Sequence, residues 1–327
     1  MESGSSLLSR DSWNSPSQLG EPRFRRKPTN HAKLFQEPRR VTFYNDYVNG
    51  RVEAIYTAPS EALPIVRRER AFARPGIGLD GDRYANGTGY WSGDNKVSRD
   101  LTLIEAEVID GVCAQLGEQL EAGTFRRNLI SRGVKLNELV GKRFGIGRVV
   151  VEGTSLCEPC AYLERLVGRP ILRTLVHQGG LRANILTMGE IWSNDPISFD
   201  VPQIGVGVVV RRGGRYLLGL RNGTERGQST WSTPGGSVAP AETVLGCAVR
   251  ELQEETGLRA ERARVVFQTC NHLEDGRQWQ SVFVAVDVAA DAEPDLRESQ
   301  KCGGWGWFEP RLLPSPLFAP VAMMLGN

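Results

Sequence analysis

The sequence predicts two folded domains in series behind an irregular tail: a mainly-β barrel with attached helices over residues 46–199, then an α/β/α sandwich over 200–327. Three observations carry this reading. The chain has 327 residues, enough for two separate cores. Short apolar runs broken by glycine turns fill its first half, as in a barrel. After residue 204 apolar strands flank one strongly amphipathic helix that carries a cluster of acidic residues.

Residues 1–45 are rich in Ser, Pro and Arg with little apolar periodicity, and are expected to be a disordered tail. Arg23, Arg25, Arg26 and Lys27 form a small basic cluster there, suited either to an anionic surface or to simple solvation. Within the first domain, 52–56 and 66–72 read as strands and 76–83 as a glycine-rich turn. Residues 101–116 read as a strand running into a helix, with Ile104, Val108, Ile109 and Val112 at helical spacing. Residues 144–152 alternate like a strand, 161–167 read as a helix, and 181–186 as a short apolar strand. The segment DPISFDVPQ (195–203), with two prolines and no helical period, is expected to be a linker. In the second domain 204–211 and 216–220 form a hairpin across Gly213-Gly214. Further strands are expected at 265–269, 282–288 and 305–308, with a closing helix over 317–325.

The helix expected over 243–256 ends at Gly257. At about 3.6 residues per turn, Glu251, Glu254 and Glu255 fall within one turn on neighbouring faces. Such carboxylates repel one another unless a cation sits among them. A hard divalent ion such as Mg²⁺ suits oxygen ligands and also holds phosphates. Arg250 can grip one carboxylate by a bidentate bond, while Val244, Leu245, Ala248, Val249 and Leu252 are expected to form the buried side. The competing reading is a surface helix with a solvated acidic face.

The spacing Gly236, five residues, Glu242, seven residues, then Arg250-Glu-Leu-Gln-Glu-Glu-Thr-Gly-Leu258 resembles the box of the Nudix hydrolase family at every fixed position. The resemblance implies a loop-helix-loop that binds Mg²⁺ or Mn²⁺ and hydrolyses a nucleoside diphosphate linked to another group. It implies metal binding by Glu251, Glu254, Glu255 and the Gly236 carbonyl, loop support by Glu242, and orientation of a glutamate by Arg250. Bound metal lowers the pKa of water and holds phosphates. The proton acceptor is a glutamate of the box or an acid outside it, Glu274 or Glu298. SQKCGGWGWFEP (299–310) resembles a segment of Nudix enzymes that act on nucleoside triphosphates, which points to Trp305 and Trp307 as base-stacking candidates, with core packing the alternative. Gln300, Gly303 and Gly306 replace acids of that pattern, which puts the base specificity in doubt.

In the first domain GLDGDRY (78–84), LTLIEAE (101–107), RRNL (126–129), LVGKRFGIG (139–147), CEPC (157–160) and GGLRANIL (179–186) resemble, in order, the MOSC family. That resemblance implies a cysteine, Cys160, that carries sulfur or ligates molybdenum, with Cys157 beside it. Tyr84 stands where many relatives have histidine. Arg126, Arg127 and Arg182 could favour a thiolate and grip a cofactor phosphate. Molybdenum cofactor is the ligand implied, pyridoxal phosphate a further one, and a molybdoenzyme or reductase the partner. Cys157-x-x-Cys160 alone also suits a redox pair or half a zinc site, but Cys113 and His177 complete no zinc pattern. Cys113, Cys247, Cys270 and Cys302 are expected to be buried apolar groups.

Net charge is +2, no apolar run approaches the roughly 18 to 20 residues of a membrane span, and six cysteines are sparse. These features point to a cytoplasmic protein with no stable nucleic-acid or membrane binding, and the Nudix resemblance implies a small-molecule nucleotide substrate. The sequence thus supports a Nudix pyrophosphohydrolase fused to a MOSC domain. The alternative is a MOSC protein centred on molybdenum or sulfur, whose Nudix half senses nucleotides.

Overall fold

The computed structural model describes residues 48–92, 100–222, 227–272 and 277–326. The tail of residues 1–45 and Glu274 therefore lie outside the described residues. In chain order the first half forms β1 (Val48–Thr57), β2 (Val66–Arg68), β3 (Arg70–Arg74), β4 (Gly78–Leu79), β5 (Leu101–Glu105), α1 (Ala106–Leu116), β6 (Leu129–Arg132), β7 (Arg143–Ile146), β8 (Val149–Leu156), α2 (Ala161–Val167), α3 (Leu172–Leu175), β9 (Leu181–Ile185), β10 (Gly189–Trp192) and β11 (Pro196–Ser198). The second half forms β12 (Gln203–Arg212), β13 (Arg215–Arg221), β14 (Trp231–Ser232), β15 (Gly235–Ser237), α4 (Val244–Thr256), β16 (Arg262–His272), β17 (Gln278–Asp287), β18 (Cys302–Phe308) and α5 (Ala319–Leu325).

Strands β11, β7, β8, β9, β5, β6 and β1 follow one another around a closed barrel, because β11 pairs with both β7 and β1. Part of the segment expected to be a linker is thus the strand that closes the barrel. Its two prolines hide this, since proline in a strand is confined to strand starts, edges and bulges, and Pro196 sits at the start of β11. The run 66–72 also divides: β2 joins the barrel edge, whereas β3 pairs with β4 and β10 in a separate small sheet.

Alternation along the strands sorts side chains between two cores. Leu101, Leu103, Leu129, Val149 and Val151 point into the barrel. Ile104 and Ile130, one residue out of step, point outward and are covered by Ile109 and Val112 of α1 and Leu163 of α2. Val150, between the two inward valines of β8, faces the other way and joins Leu186 in a cluster with Ile204, Val206, Val238 and Val244 of the second half. The two halves therefore share one continuous apolar cluster. Gln268 ties them further, its amide donating to the Met188 carbonyl at 2.7 Å and accepting from the Met188 amide at 2.8 Å.

In the second half β12 runs parallel to β17, from Gln203↔Trp279 to Val210↔Val286, while β13, β15, β16 and β18 pair antiparallel. Val208 and Val210 pack with Val244, Ala248 and Leu252 of α4. Val209, on the opposite face, packs with Leu218, Phe283 and Val321 of α5. Fully burying a leucine such as Leu252 contributes about 1.5–3 kcal/mol, enough to hold α4 on the sheet. Gly213 and Gly214, at φ 54° and 81°, make the expected hairpin turn, because such two-residue turns require positive φ at both positions.

Candidate functional site

Helix α4 begins where Thr243 accepts a hydrogen bond at its hydroxyl from the Gly246 amide at 3.0 Å, and it ends at Gly257 in the left-handed conformation at φ 72°. Val244, Cys247, Ala248, Leu252 and Thr256 make its buried stripe. Val249, expected on that side, is instead 42% exposed, since it falls one position beyond the stripe and turns toward solvent. The opposite edge of the stripe carries the acids.

Arg250 links all but one of them. Its Nε and Nη2 donate to the two oxygens of Glu242 at 2.8 and 2.9 Å, and its Nη1 donates to Glu251 at 2.6 Å and Glu254 at 3.1 Å. Arg250 holds the Glu242 carboxyl below the usual carboxylate range. Glu242 also accepts from the Ala239 amide at 2.9 Å, closing the loop that leads into the helix. Glu251 has a raised pKa, mainly through burial. Glu255, outside the reach of Arg250, is pushed up to about 7, first by burial and then, against a bond from the Gly235 amide at 3.1 Å, by its acidic neighbours Glu251 and Glu298. Glu298 is ion-paired with Lys301 at 3.1 Å.

Two glycines bring the loop onto these carboxylates. Gly235 lies so close to β12 that a side chain would strike the Val206 carbonyl, and its φ of 155° also favours glycine. A Cβ on Gly236 would run into the Glu251 carboxylate and displace it, so glycine lets the main chain and that carboxylate lie together.

Among the described residues no three Asp, Glu, His or Cys side chains are already gathered around one point as metal ligands. Here Nη1 of Arg250 lies between Glu251 and Glu254 and draws them to itself. The chemistry of the donor set nevertheless fits a hard cation: two of three neighbouring carboxylates are raised by burial, and the one guanidinium reaches three of the four acids.

Trp305 and Trp307 lie on β18 and pack against the cluster beneath α4. The Trp307 indole donates to Glu293 at 3.3 Å and is covered by the Arg212 guanidinium, 4.1 Å from its ring centroid. Trp305 lies against Gly219 on the neighbouring strand. Both tryptophans are thus partly buried against that cluster.

In the barrel half, Cys157, Cys160, Arg126, Arg127 and Arg182 line one pocket, together with Arg83, which the sequence reading passed over. Cys157 is buried, Cys160 is half-buried at the start of α2, and both are free thiols. Arg127 is buried and serves the backbone, donating to the carbonyls of Gly179, Phe125 and Cys157 at 2.8, 3.1 and 2.9 Å. Arg182 donates to the Leu156 carbonyl at 2.7 Å. Arg83 pairs with Asp82 at 3.0 Å and donates to the Arg126 carbonyl at 2.9 Å. Arg126 donates one Nη to the Leu63 carbonyl at 3.0 Å, while its Nη2 is buried without a partner. Burial and the nearby Arg83 lower the Arg126 pKa. Arg83 lies within the GLDGDRY stretch, but only folding brings its turn beside Arg126. Tyr84 lies under the Arg83 guanidinium, 4.9 Å from its ring centroid. Cys113 and Cys247 are buried as expected, but Cys302 is only half-buried and Cys270 is exposed, because Cys270 falls on the outward side of β16. Among the described residues no helix is long and apolar enough to cross a membrane.

Comparison with known proteins agrees with this division. The model of the NUDIX domain matches residues 201–322, and that of the MOSC domain matches residues 91–198. An RNA pyrophosphohydrolase of Novosphingobium aromaticivorans is 29% identical over 132 residues, which cover 35% of this chain and 80% of the relative. An RNA pyrophosphohydrolase of Erythrobacter litoralis is 32% identical over 108 residues, 26% of this chain and 62% of the relative. The crystal structure of a MutT NUDIX hydrolase from Burkholderia pseudomallei is 29% identical and covers 39% of this chain and 99% of that one, with a TM-score of 0.35.

Proposed function

The chain joins a MOSC domain to a NUDIX domain, and we propose that its C-terminal half is a Mg²⁺-dependent pyrophosphohydrolase of nucleoside triphosphates or related nucleoside diphosphate compounds. One observation carries this reading. Glu251, Glu254 and Glu255 stand on one helix edge against a glycine backbone, and burial raises the pKa of two of them. A cation from outside the chain would complete the balance that Arg250 supplies to Glu251 and Glu254 and leaves unmet at Glu255. Glu251, Glu254, Glu255 and the Gly236 carbonyl would hold Mg²⁺ or Mn²⁺. Such an ion supplies charge neutralisation for the phosphates and a more acidic water. The remaining work belongs to the protein. Arg250 keeps the Glu251 and Glu254 carboxylates oriented, Glu242 anchors Arg250, and Gly235 orients Glu255 through its amide. Glu298, beside Glu255 and paired with Lys301, is the acid outside the helix placed to share the proton. We read the layering of α4 and α5 on opposite sheet faces as an α/β/α sandwich. The RNA pyrophosphohydrolase relatives make RNA a second substrate class worth including.

The test is a Mg²⁺ assay over canonical and damaged nucleoside triphosphates, sugar nucleotides, ADP-ribose, dinucleoside polyphosphates and a 5′-triphosphate RNA, with Glu254→Gln as control. Pyrophosphate released from one class and lost in the control supports the reading. No turnover of any compound, with nucleotide binding retained, replaces it with a sensor.

For the barrel half, the unpartnered buried Nη2 of Arg126 beside Cys160 favours an anionic ligand that a thiol can also meet. Molybdenum cofactor fits that donor set, with Arg126 and Arg182 toward its phosphate and Cys160 toward its metal or a carried sulfur. Metal and pterin analysis after expression in a host that makes the cofactor tests this. Neither component in the purified protein would overturn it.

A further inference from the structure

Strands β7 and β8 place Arg143 and Glu152 directly opposite each other on the barrel. Glu152 follows the inward Val151 and so projects with Val150 toward the NUDIX domain. Its carboxylate is almost fully buried at 2% exposure, and both of its oxygens are used. Oε2 accepts from Arg143 Nε at 2.9 Å, and Oε1 accepts from the Ala241 amide at 2.5 Å. Arg143 then reaches across the boundary itself, its Nη2 donating to the Val238 carbonyl at 3.0 Å and the Ala239 carbonyl at 2.8 Å. One ion pair of the barrel therefore makes three hydrogen bonds to the loop of residues 238–241. Ala241 needs such support, because it sits in the left-handed region at φ 62° with no glycine to ease it.

That loop delivers Glu242, whose two oxygens hold Arg250, and Arg250 holds Glu251 and Glu254. We propose that Arg143 and Glu152 are positioning residues for the hydrolase site: the MOSC barrel fixes the loop of the NUDIX domain, and through Glu242 and Arg250 it sets where the metal-binding carboxylates stand. The barrel is thereby a working part of the hydrolase even when its own pocket is empty. This rests on the reading of the acidic helix as a metal site.

The test uses the full chain and Mn²⁺ as the probe, titrated by its paramagnetic resonance signal. The main variant is Arg143→Met/Glu152→Met, which removes both charges together and leaves no lone buried carboxylate. Its expected Mn²⁺ affinity is weaker by about tenfold, the usual effect of losing an outer partner of metal ligands. The Mg²⁺ concentration needed for half-maximal turnover rises by the same factor, while the nucleotide KM at saturating Mg²⁺ stays within about threefold. Arg143→Lys, which keeps one donor and the charge, recovers most of the affinity. Adding Ala241→Gly to the double variant recovers part of it, because glycine holds the loop conformation without help. Mn²⁺ affinity within twofold of the parent in a folded double variant overturns the proposal. Glu251→Gln is the separate control: if it leaves Mn²⁺ affinity unchanged, the metal-site reading fails and the positioning role falls with it. A double variant that does not fold moves the decision to Arg143→Gln, where the same twofold limit applies.

Discussion

The two halves of the chain carry charge imbalances of opposite sign. In the C-terminal half Arg250 answers to Glu242, Glu251 and Glu254, and Glu255 is left with a pKa raised to about 7. In the barrel half Arg83, Arg126, Arg127 and Arg182 meet at one pocket, and burial with the neighbouring guanidinium lowers the Arg126 pKa. The first site gathers more carboxylates than its guanidinium reaches, and the second gathers more guanidiniums than carboxylates. Their local designs differ as well. The acidic site is built on consecutive turns of one helix, so its order follows from a short stretch of sequence. The basic site is assembled from the turn after β4, the segment before β6 and strand β9. It exists only once the barrel has closed.

If the acidic imbalance is a metal site, breaking it should have the largest effect of any change. Glu251→Gln is expected to lower Mg²⁺-dependent turnover by about 10²–10³-fold, the scale of losing one preorganised electrostatic group, and excess Mg²⁺ should restore only part of it. Steady-state rates across a Mg²⁺ series check this. If the basic imbalance is an anion site, Arg126→Met should weaken binding of molybdate or inorganic phosphate by about tenfold or more, since a charge-assisted bond contributes about 1.5–3 kcal/mol. Calorimetric titration reads it. The same substitution should not lower the melting temperature of the anion-free protein, because it removes a half-buried cation whose enclosed Nη2 lacks a partner.

The same contrast explains what could be read before folding. The boundaries of α4, its Thr243 and Gly257 ends and the facing of Glu251, Glu254 and Glu255 follow from helical geometry over a short window. Only Val249 was misplaced, by one step around the helix. The hairpin at Gly213-Gly214 was legible for the same reason, since two consecutive residues with positive φ nearly name the turn. The closing strand β11 was not, because its pairing with β1 joins residues far apart in the chain and its prolines speak locally for a linker. Arg83 and the Arg143–Glu152 pair were invisible for a related reason. An arginine or glutamate in a strand or turn looks solvated until the opposing surface is known.

A smaller effect should appear in the metal-free protein as a pH dependence of stability. The Glu255 carboxyl is raised from 4.5 to about 7 in the folded chain. Between those values the folded state holds a proton that the unfolded state has released. Stability is therefore full below about pH 4.5 and falls as pH rises through about 7, by an amount on the order of 3 kcal/mol. Glu255→Gln should flatten this slope in denaturant titrations. Saturating Mg²⁺ should flatten it too, by favouring the carboxylate in the folded state. A slope that survives both changes would assign the titration to another group and weaken the view of Glu255 as a carboxylate awaiting a cation.

The smallest expected effect separates the scaffold of the acidic site from its chemistry. Thr243 satisfies the Gly246 amide at the start of α4 and touches none of the acids through the hydrogen bonds described above. Thr243→Ala should therefore cost about 1 kcal/mol of stability, as loss of a helix cap does. Turnover at saturating Mg²⁺ should stay near that of the parent, because Arg250, Glu251, Glu254 and Glu255 sit about two or more turns along the helix and Gly236 on the preceding strand, while neighbouring Glu242 is held by Arg250 and the Ala239 amide rather than by Thr243. Chemical denaturation and a single saturated rate measure the two quantities on the same sample. A large loss of rate with a small loss of stability would mean that the first turn of α4 takes part in setting the carboxylates, and the boundary between scaffold and site would move to the helix N-terminus.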